Sequence, residues 1–205
     1  MSSGFSNTDT GSKAADPYTQ KNKDEPSLKE KAEDLLKFID NTKFCLLTTH
    51  AADSDLLASR AMALAAKEAN GFDLLFHTNT ESGKTDDLKE DASVNIGFIT
   101  SSGEWASISG HASIETDRAI VKKHYSPALK AWIGDLGDGK HDGGPEDPRI
   151  GIIRVKASTA QYAISNRTQI GGLVELAKGV ATGSSPNVNK LRHLSEGEIQ
   201  QWKSQ

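Results

Sequence analysis

The sequence predicts a mainly β chain with flanking helices, in which six antiparallel strands close, fully or in part, into a small barrel. Three observations lead there. Short apolar or alternating runs follow one another with tight turns between the first three, leaving no room for crossover helices. Gly110 stands in the middle of an alternating run, where a closing sheet needs a bulge or a sharp bend. Helix-forming stretches occur only at some of the connections, which weighs against a doubly wound parallel sheet.

Residues 1–26 are polar and without periodicity, so a disordered tail is expected there, followed by one domain over residues 27–165 and an extension over residues 166–205. Ser27-Leu28-Lys29-Glu30 reads as a capping box, and Leu28, Ala32, Leu35, Leu36 and Ile39 continue at helical spacing. From Lys43 the period becomes that of strands: KFCLLTTH, LLASRAMAL and FDLLFHT, joined by AADSD and KEANG. A short helix opens near Thr85, and SVNIGFIT and WASISGHASIE supply two more strands. Asp117 is placed to cap a helix through AIVKKHY, and Ser126-Pro127 offers a cap and a first-turn proline before ALKAW. A glycine-rich loop, GDLGDGKHDGGPEDP, precedes the sixth strand, GIIRVKASTAQYAI. In the extension, TQIGGLVELAKGVATGSSPNVNK reads as a weak helix or a mobile flap, and Ser195 to Glu198 form a second capping box that opens a terminal helix.

Composition narrows the function classes. With 205 residues the chain can bury a proper core, and its formal charge of -4 disfavours a nucleic-acid partner. No stretch has the length of a membrane span or the apolar core of a signal peptide, so a soluble cytoplasmic protein without a membrane partner is expected. The single cysteine, Cys45, lies in an apolar run and reads as an inert buried thiol, and the six histidines show no ligand spacing, so no metal is expected.

One stretch raises a chemical question. FHTNTESGKTDDL contains Gly83-Lys84-Thr85, the tail of a P-loop, yet the glycine required five positions earlier is Thr78, so a nucleotide-hydrolysing loop is disfavoured. The residues leave two readings open. Ser82, Lys84 and the first amides of a helix suit one phosphate dianion, and they equally suit a capped turn with a solvated lysine.

Over roughly residues 28–164 the order of motifs resembles the FMN-binding split barrels related to pyridoxamine 5'-phosphate oxidase, in particular the general stress protein branch, and the tail is similar to that of the fungal blue-light-inducible relatives. The matching pieces are Ser59-Arg60-Ala61-Met62, Phe76-His77-Thr78 with Ser82 and Lys84, Trp105-Ala106-Ser107-Ile108-Ser109-Gly110, and Leu129-Lys130-Ala131-Trp132. This resemblance implies a six-stranded split barrel with FMN, rather than FAD or a deazaflavin, at the interface of a homodimer. It implies that Arg60 and Lys84 supply charge to the flavin phosphate and that Ser82 donates a hydrogen bond to it. Ser59 belongs to the same strand motif. The backbone around Ala61, Met62, His77 and Thr78, which follows Phe76, would line the ring, with Trp105 and Trp132 flanking it.

Taken singly, each of these residues has a plain structural role available. Arg60 could be a rim charge, Met62 core filler, the tryptophans buried bulk, and His77 a hydrogen-bonded side chain opposite the apolar face with no acid or base role. The oxidase proper also has basic residues where this chain has Gly83 and Ala65, and its terminal Arg-x-His motif is not matched by Leu191-Arg192-His193. Expected, therefore, is a stress-related flavoprotein, a flavin-dependent oxidoreductase with an unidentified small-molecule redox partner and unknown catalytic residues, distinct from a pyridoxamine phosphate oxidase. The alternative is a non-catalytic flavin store or sensor.

Overall fold

The structure, a computed structural model, describes residues 16–167 and 169–205. It opens with α1 (Pro17–Asn22), where Asp16 accepts from the Tyr18 and Thr19 amides and proline occupies the first turn. The expectation of a disordered tail therefore fails from Asp16 onward, while residues 1–15 lie outside the described residues. α2 (Leu28–Thr42) buries Ala32, Leu35, Phe38 and Ile39. Its Ser27 accepts from the Glu30 amide as expected, but the box is only half formed. The Glu30 carboxylate is drawn instead to Arg192, 2.6 Å away.

β1 (Phe44–His50) and β2 (Leu57–Glu68) pair antiparallel, and a tight turn at Ala69–Gly71 leads to β3 (Asp73–Asn79). α3 (Gly83–Glu90) comes next, then β4 (Ser93–Ile99) and β5 (Trp105–Glu115). α4 (Arg118–His124) is capped by Asp117 as the spacing predicts. α5 (Leu129–Ile133) starts after Ala128, later than the expected first turn at Pro127, with no side-chain cap from Ser126. After the glycine-rich loop come β6 (Ile150–Ser165), α6 (Gln169–Thr182), β7 (Asn189–Leu194) and α7 (Glu196–Lys203), the last with its capping box complete.

The strand order β3-β2-β1-β4-β5-β6 closes through the pairing of β3 with β6, giving the six-stranded antiparallel barrel. Sixteen residues long, β6 pairs with β5 along most of its length and divides its other edge. Its first half meets β3, and its second half meets β7, a seventh strand that the sequence did not reveal. The bend falls where Gly110 stands: Ser109 faces Thr159 and Gly110 faces Ala157, so one residue of β6 is bulged out. A Cβ on Gly110 would lie 2.2 Å from the Lys156 carbonyl oxygen, so only glycine lets the strands approach there.

Inward residues of the six strands and α2 form one core around Leu47, Phe76, Ile96, Phe98, Ile108, Val155 and Tyr162. A smaller cluster of Leu75, Val121, Ile150 and Ile152 lies on the other face of β3 and β6, beneath α4 and α5. That second covering explains why both faces of the start of β6 are apolar, where a half-exposed strand would alternate.

Candidate functional site

The turn after β3 is built by its own side chains. The Asn79 amide oxygen accepts from the Glu81 backbone N–H at 2.9 Å, and the Ser82 hydroxyl donates to the Asn79 carbonyl at 2.6 Å. Thr85 donates back to the Thr80 carbonyl, closing the loop before α3 begins. The Thr85 amide donates to the Ser82 carbonyl at 2.9 Å, which leaves the Gly83 and Lys84 amides as the donors at the helix start. Lys84 Nζ lies 2.9 Å from Ser82 Oγ and donates to it.

Arg60 reaches the same end of the barrel from β2. Its guanidinium donates to Thr49 Oγ1 at 2.9 Å and to Asp87 Oδ2 at 2.8 Å. Asp87, nearly buried on α3, also accepts from Thr49 Oγ1 and from the Ala52 amide. Burial pushes the Asp87 carboxyl up, but the Ala52 amide, the Thr49 hydroxyl and Arg60 together outweigh it and hold the group below its ordinary value. Asp87 and Thr49 thus orient Arg60. Sequence reading missed both; the one available signal was that Asp87 follows Lys84 by three residues on the same helix.

Lys84 is different. Among the described residues it has no carboxylate partner, it is half-buried, and its pKa is lowered first by burial and then by the positive charge of Arg60. With Arg60 paired to Asp87, Lys84 is the cation at this turn left without a carboxylate among the described residues. Such a cation, beside Arg60 and the start of α3, can receive an anionic group such as a phosphate.

Beyond the turn, the register of β2 with β3 begins only at Leu64↔Phe76. Ser59–Met62 pair with β1 and His77–Asn79 pair with β6, so the edges they turn toward each other carry backbone groups outside any described ladder. This gap lies next to the turn carrying Ser82 and Lys84 and is bordered by the backbone of Ala61, Met62, His77 and Thr78, the four positions expected to line a planar ring. The side chains divide: Ser59 and Ala61 are exposed, Met62 packs against the core, and Phe76 and Thr78 are buried. His77 Nε2 donates to the His124 carbonyl at 2.7 Å, and burial lowers its pKa, so it is a neutral side chain whose proton is already committed.

The two tryptophans are not gathered with these residues. Trp105 starts β5, three strands away from Arg60 in the order β2-β1-β4-β5. Trp132 lies on α5 and is 86% exposed. Cys45 is buried with its thiol pushed up to about 12 by desolvation. Arg192, in the motif whose spacing disagreed with the oxidase, is fully buried among Asp24, Glu30 and Asp34, which makes it structural. No helix among the described residues is long and apolar enough to cross a membrane.

A family model described as pyridoxamine 5'-phosphate oxidase like matches residues 30–187. The chain belongs to the pyridoxamine 5'-phosphate oxidase-like family. Protein bli-3 of Neurospora crassa is 60% identical to this family member over 203 residues, 98% of this chain and 97% of that one. Among solved structures, a Clostridium acetobutylicum protein related to general stress protein 26 superposes with a TM-score of 0.60 at 14% identity, covering 85% of this chain and 99% of its own. The general stress FMN/FAD binding protein of Xanthomonas citri superposes with a TM-score of 0.55 at 24% identity over 69% of this oxidase-like chain and 92% of that one. At such identities the two structures establish the common fold.

Proposed function

We propose that this oxidase-like chain binds FMN between two copies of itself and works as a flavin-dependent oxidoreductase whose substrate differs from pyridoxamine phosphate. The observation that carries the reading is the meeting of Arg60, Ser82 and the carboxylate-free Lys84 at one turn beside a strand gap. Lys84, Arg60 and the Gly83 and Lys84 amides at the start of α3 would hold the phosphate, with the Ser82 hydroxyl turning to it from the Asn79 carbonyl, and the open backbone edges of β2 and β3 would take the polar rim of the ring. The Xanthomonas citri neighbour, an FMN/FAD binding protein, supports a flavin over other phosphates. A turn shaped for a single phosphate favours FMN over FAD or a deazaflavin. The bound cofactor would supply electron transfer between a reduced donor and an acceptor.

Dimerisation is supported by the outer sheet face. Phe44 (68% exposed), Leu46, Leu57 and Ile99 (69% exposed) stand on β1, β2 and β4 among the small residues Ser59, Ala61 and Gly97, an apolar area that a second copy would cover. Trp105 lies on this side, which gives it a route to the partner's flavin that it lacks within its own chain. A second reading, a non-catalytic flavin store, is favoured by the commitment of the His77 proton to a carbonyl and by the inert Cys45.

Anaerobic mixing of FMN-loaded protein with reduced nicotinamides, followed by a panel of quinone and nitro acceptors, separates the two. Bleaching of the flavin and its reoxidation by an acceptor faster than by oxygen alone is the expected result. A flavin that stays oxidised with every donor sinks the oxidoreductase reading and leaves the store.

A further inference from the structure

In the C-terminal extension, α6 turns its apolar side away from its own chain. Leu173, Leu176 and Val180 follow one another three and four residues apart and form one stripe of the helix surface, with Val174 beside it. Val180 is 89% exposed and Leu173 67%, while Val174 and Leu176 are half exposed. The contacts that hold the helix to the rest of the chain are polar or small instead. Glu175 pairs with Arg167 at 4.0 Å, and a Cβ on Gly179 would lie 2.9 Å from the Ser184 carbonyl oxygen, so only glycine lets the helix lie that close. A helix of 14 residues that contains Gly171, Gly172 and Gly179 gains little from propensity, and helices of this kind draw their stability from burying an apolar face. Among the described residues that face is left to solvent.

The stripe adjoins the outer sheet face. A groove of about 780 Å³ is lined by Leu173 and Leu176 of α6 and by Ser102, Gly103 and Glu104 of the turn between β4 and β5. The Glu104 carboxylate accepts from the Ser165 amide at 2.9 Å, which ties that turn to the end of β6 just ahead of α6. The same turn follows Ile99, one of the exposed side chains of the outer sheet face. Helix stripe and sheet face are thus neighbouring parts of one apolar surface.

Area and chemistry both favour a second copy as the occupant. At roughly 100 Å² of apolar surface for each exposed side chain, Phe44, Leu46, Leu57 and Ile99 on the sheet offer about 400 Å². A permanent homodimer buries roughly 1,000 Å² or more per copy, about two-thirds of it apolar, so the sheet alone falls short. The four side chains of α6 raise the apolar total to about 800 Å² and remove the shortfall. A lipid surface is a poorer match, because α6 carries one carboxylate and one ammonium, Glu175 and Lys178, where membrane-surface helices have an excess of basic residues. Residues 1–15 are polar apart from Met1, Phe5 and two alanines and offer no matching stripe.

We propose that α6 is an interface helix: the second copy that covers the outer sheet face also covers Leu173, Leu176 and Val180. The proposal deepens the dimer of the proposed function and rests on it.

The test is sedimentation velocity of the full chain in the presence of FMN, comparing wild type, the double variant Leu173→Glu with Val180→Glu, and Leu136→Glu. Both α6 positions are exposed, so the substitutions remove no core packing, and Leu136 is a similarly exposed leucine of the glycine-rich loop, outside the proposed interface. Two carboxylates carried into an apolar contact are expected to raise the dimer dissociation constant at least about 30-fold, whereas Leu136→Glu should leave it at the wild-type value. A double variant that dimerises as tightly as wild type overturns the role of α6 and leaves the sheet-face dimer standing. Wild type that sediments as a monomer at every concentration sinks the dimer reading and α6 with it. Wild type that floats with phosphatidylcholine vesicles, and loses this in the double variant, overturns the second copy in favour of lipid. Amide exchange of the wild-type chain gives a readout that needs no variant. Exchange over residues 171–182 is expected to slow as concentration rises through the dissociation constant, and exchange there that ignores concentration overturns the proposal.

Discussion

At the scale of single residues the account turns on Lys84. Its lowered pKa follows from burial and from Arg60, and a phosphate dianion would reverse that shift by favouring the ammonium form. Lys84→Ala is expected to weaken FMN binding about 30-fold, the loss of one charge-assisted hydrogen bond of roughly 2 kcal/mol, as read by fluorescence titration. Because the free protein's Lys84 titrates below the ordinary 10.5, wild-type affinity should start to fall with rising pH before that value. In Lys84→Arg the fall should disappear, since arginine keeps its charge throughout. Much of this site was legible: Arg60, Ser82 and Lys84 stand in short motifs. Asp87 and Thr49 were not, because their role depends on β1 and α3 being brought together across the fold.

At the scale of elements, periodicity was a good guide wherever one face of a segment is buried against the core. The six barrel strands and α2 follow from it, while the start of α7 follows from its capping box. It failed for β7, where NKLRHL alternates poorly because a fully buried arginine replaces an apolar residue. It failed for α1, a polar helix held by its Asp16 cap and by Asn22, which binds the Val188 and Asn189 amides. Both failures are of one kind, polar contacts between segments more than a hundred residues apart: Asn22 with the Val188 and Asn189 amides, and Arg192 with Asp24, Glu30 and Asp34. Arg192→Ala would leave three carboxylates facing one another and should cost about 3 kcal/mol in urea unfolding, with faster amide exchange over residues 16–26. An unchanged midpoint would show the cluster to be incidental. Gly110→Ala should cost about 2 kcal/mol by placing a methyl group on the Lys156 carbonyl, whereas Gly97→Ala, whose added carbon meets nothing closer than 4.0 Å, should be nearly neutral. Equal melting temperatures for these two variants would contradict the bulge as the closing device.

At the scale of the whole molecule, the charge network predicts how stability depends on pH. Hydrogen bonds from Lys123 and Arg154 hold Glu68 down to about 2, and Arg149 does the same for Asp147. Depressed carboxylates stabilise the fold above their unfolded values and lose that contribution as pH falls toward 2. His77 and His193 also have lowered pKa values, chiefly through burial, so the unfolded chain binds their protons first and stability should begin to decline below about 6.5. Thermal melts between pH 8 and 2 should accordingly show a shallow loss beginning near 6.5 and a steeper one below about 4.5. A melting temperature flat from pH 7 to 3 would contradict both assignments. The central claim, however, concerns the phosphate turn, and the most direct measurement is FMN titration of the purified full chain with the visible spectrum recorded at each step. The account predicts saturation at one FMN per chain with shifted flavin bands, lost to a large extent in Lys84→Ala. A wild-type protein whose spectrum never departs from that of free FMN would contradict it, and would return Ser82 and Lys84 to a capped turn at the start of a helix.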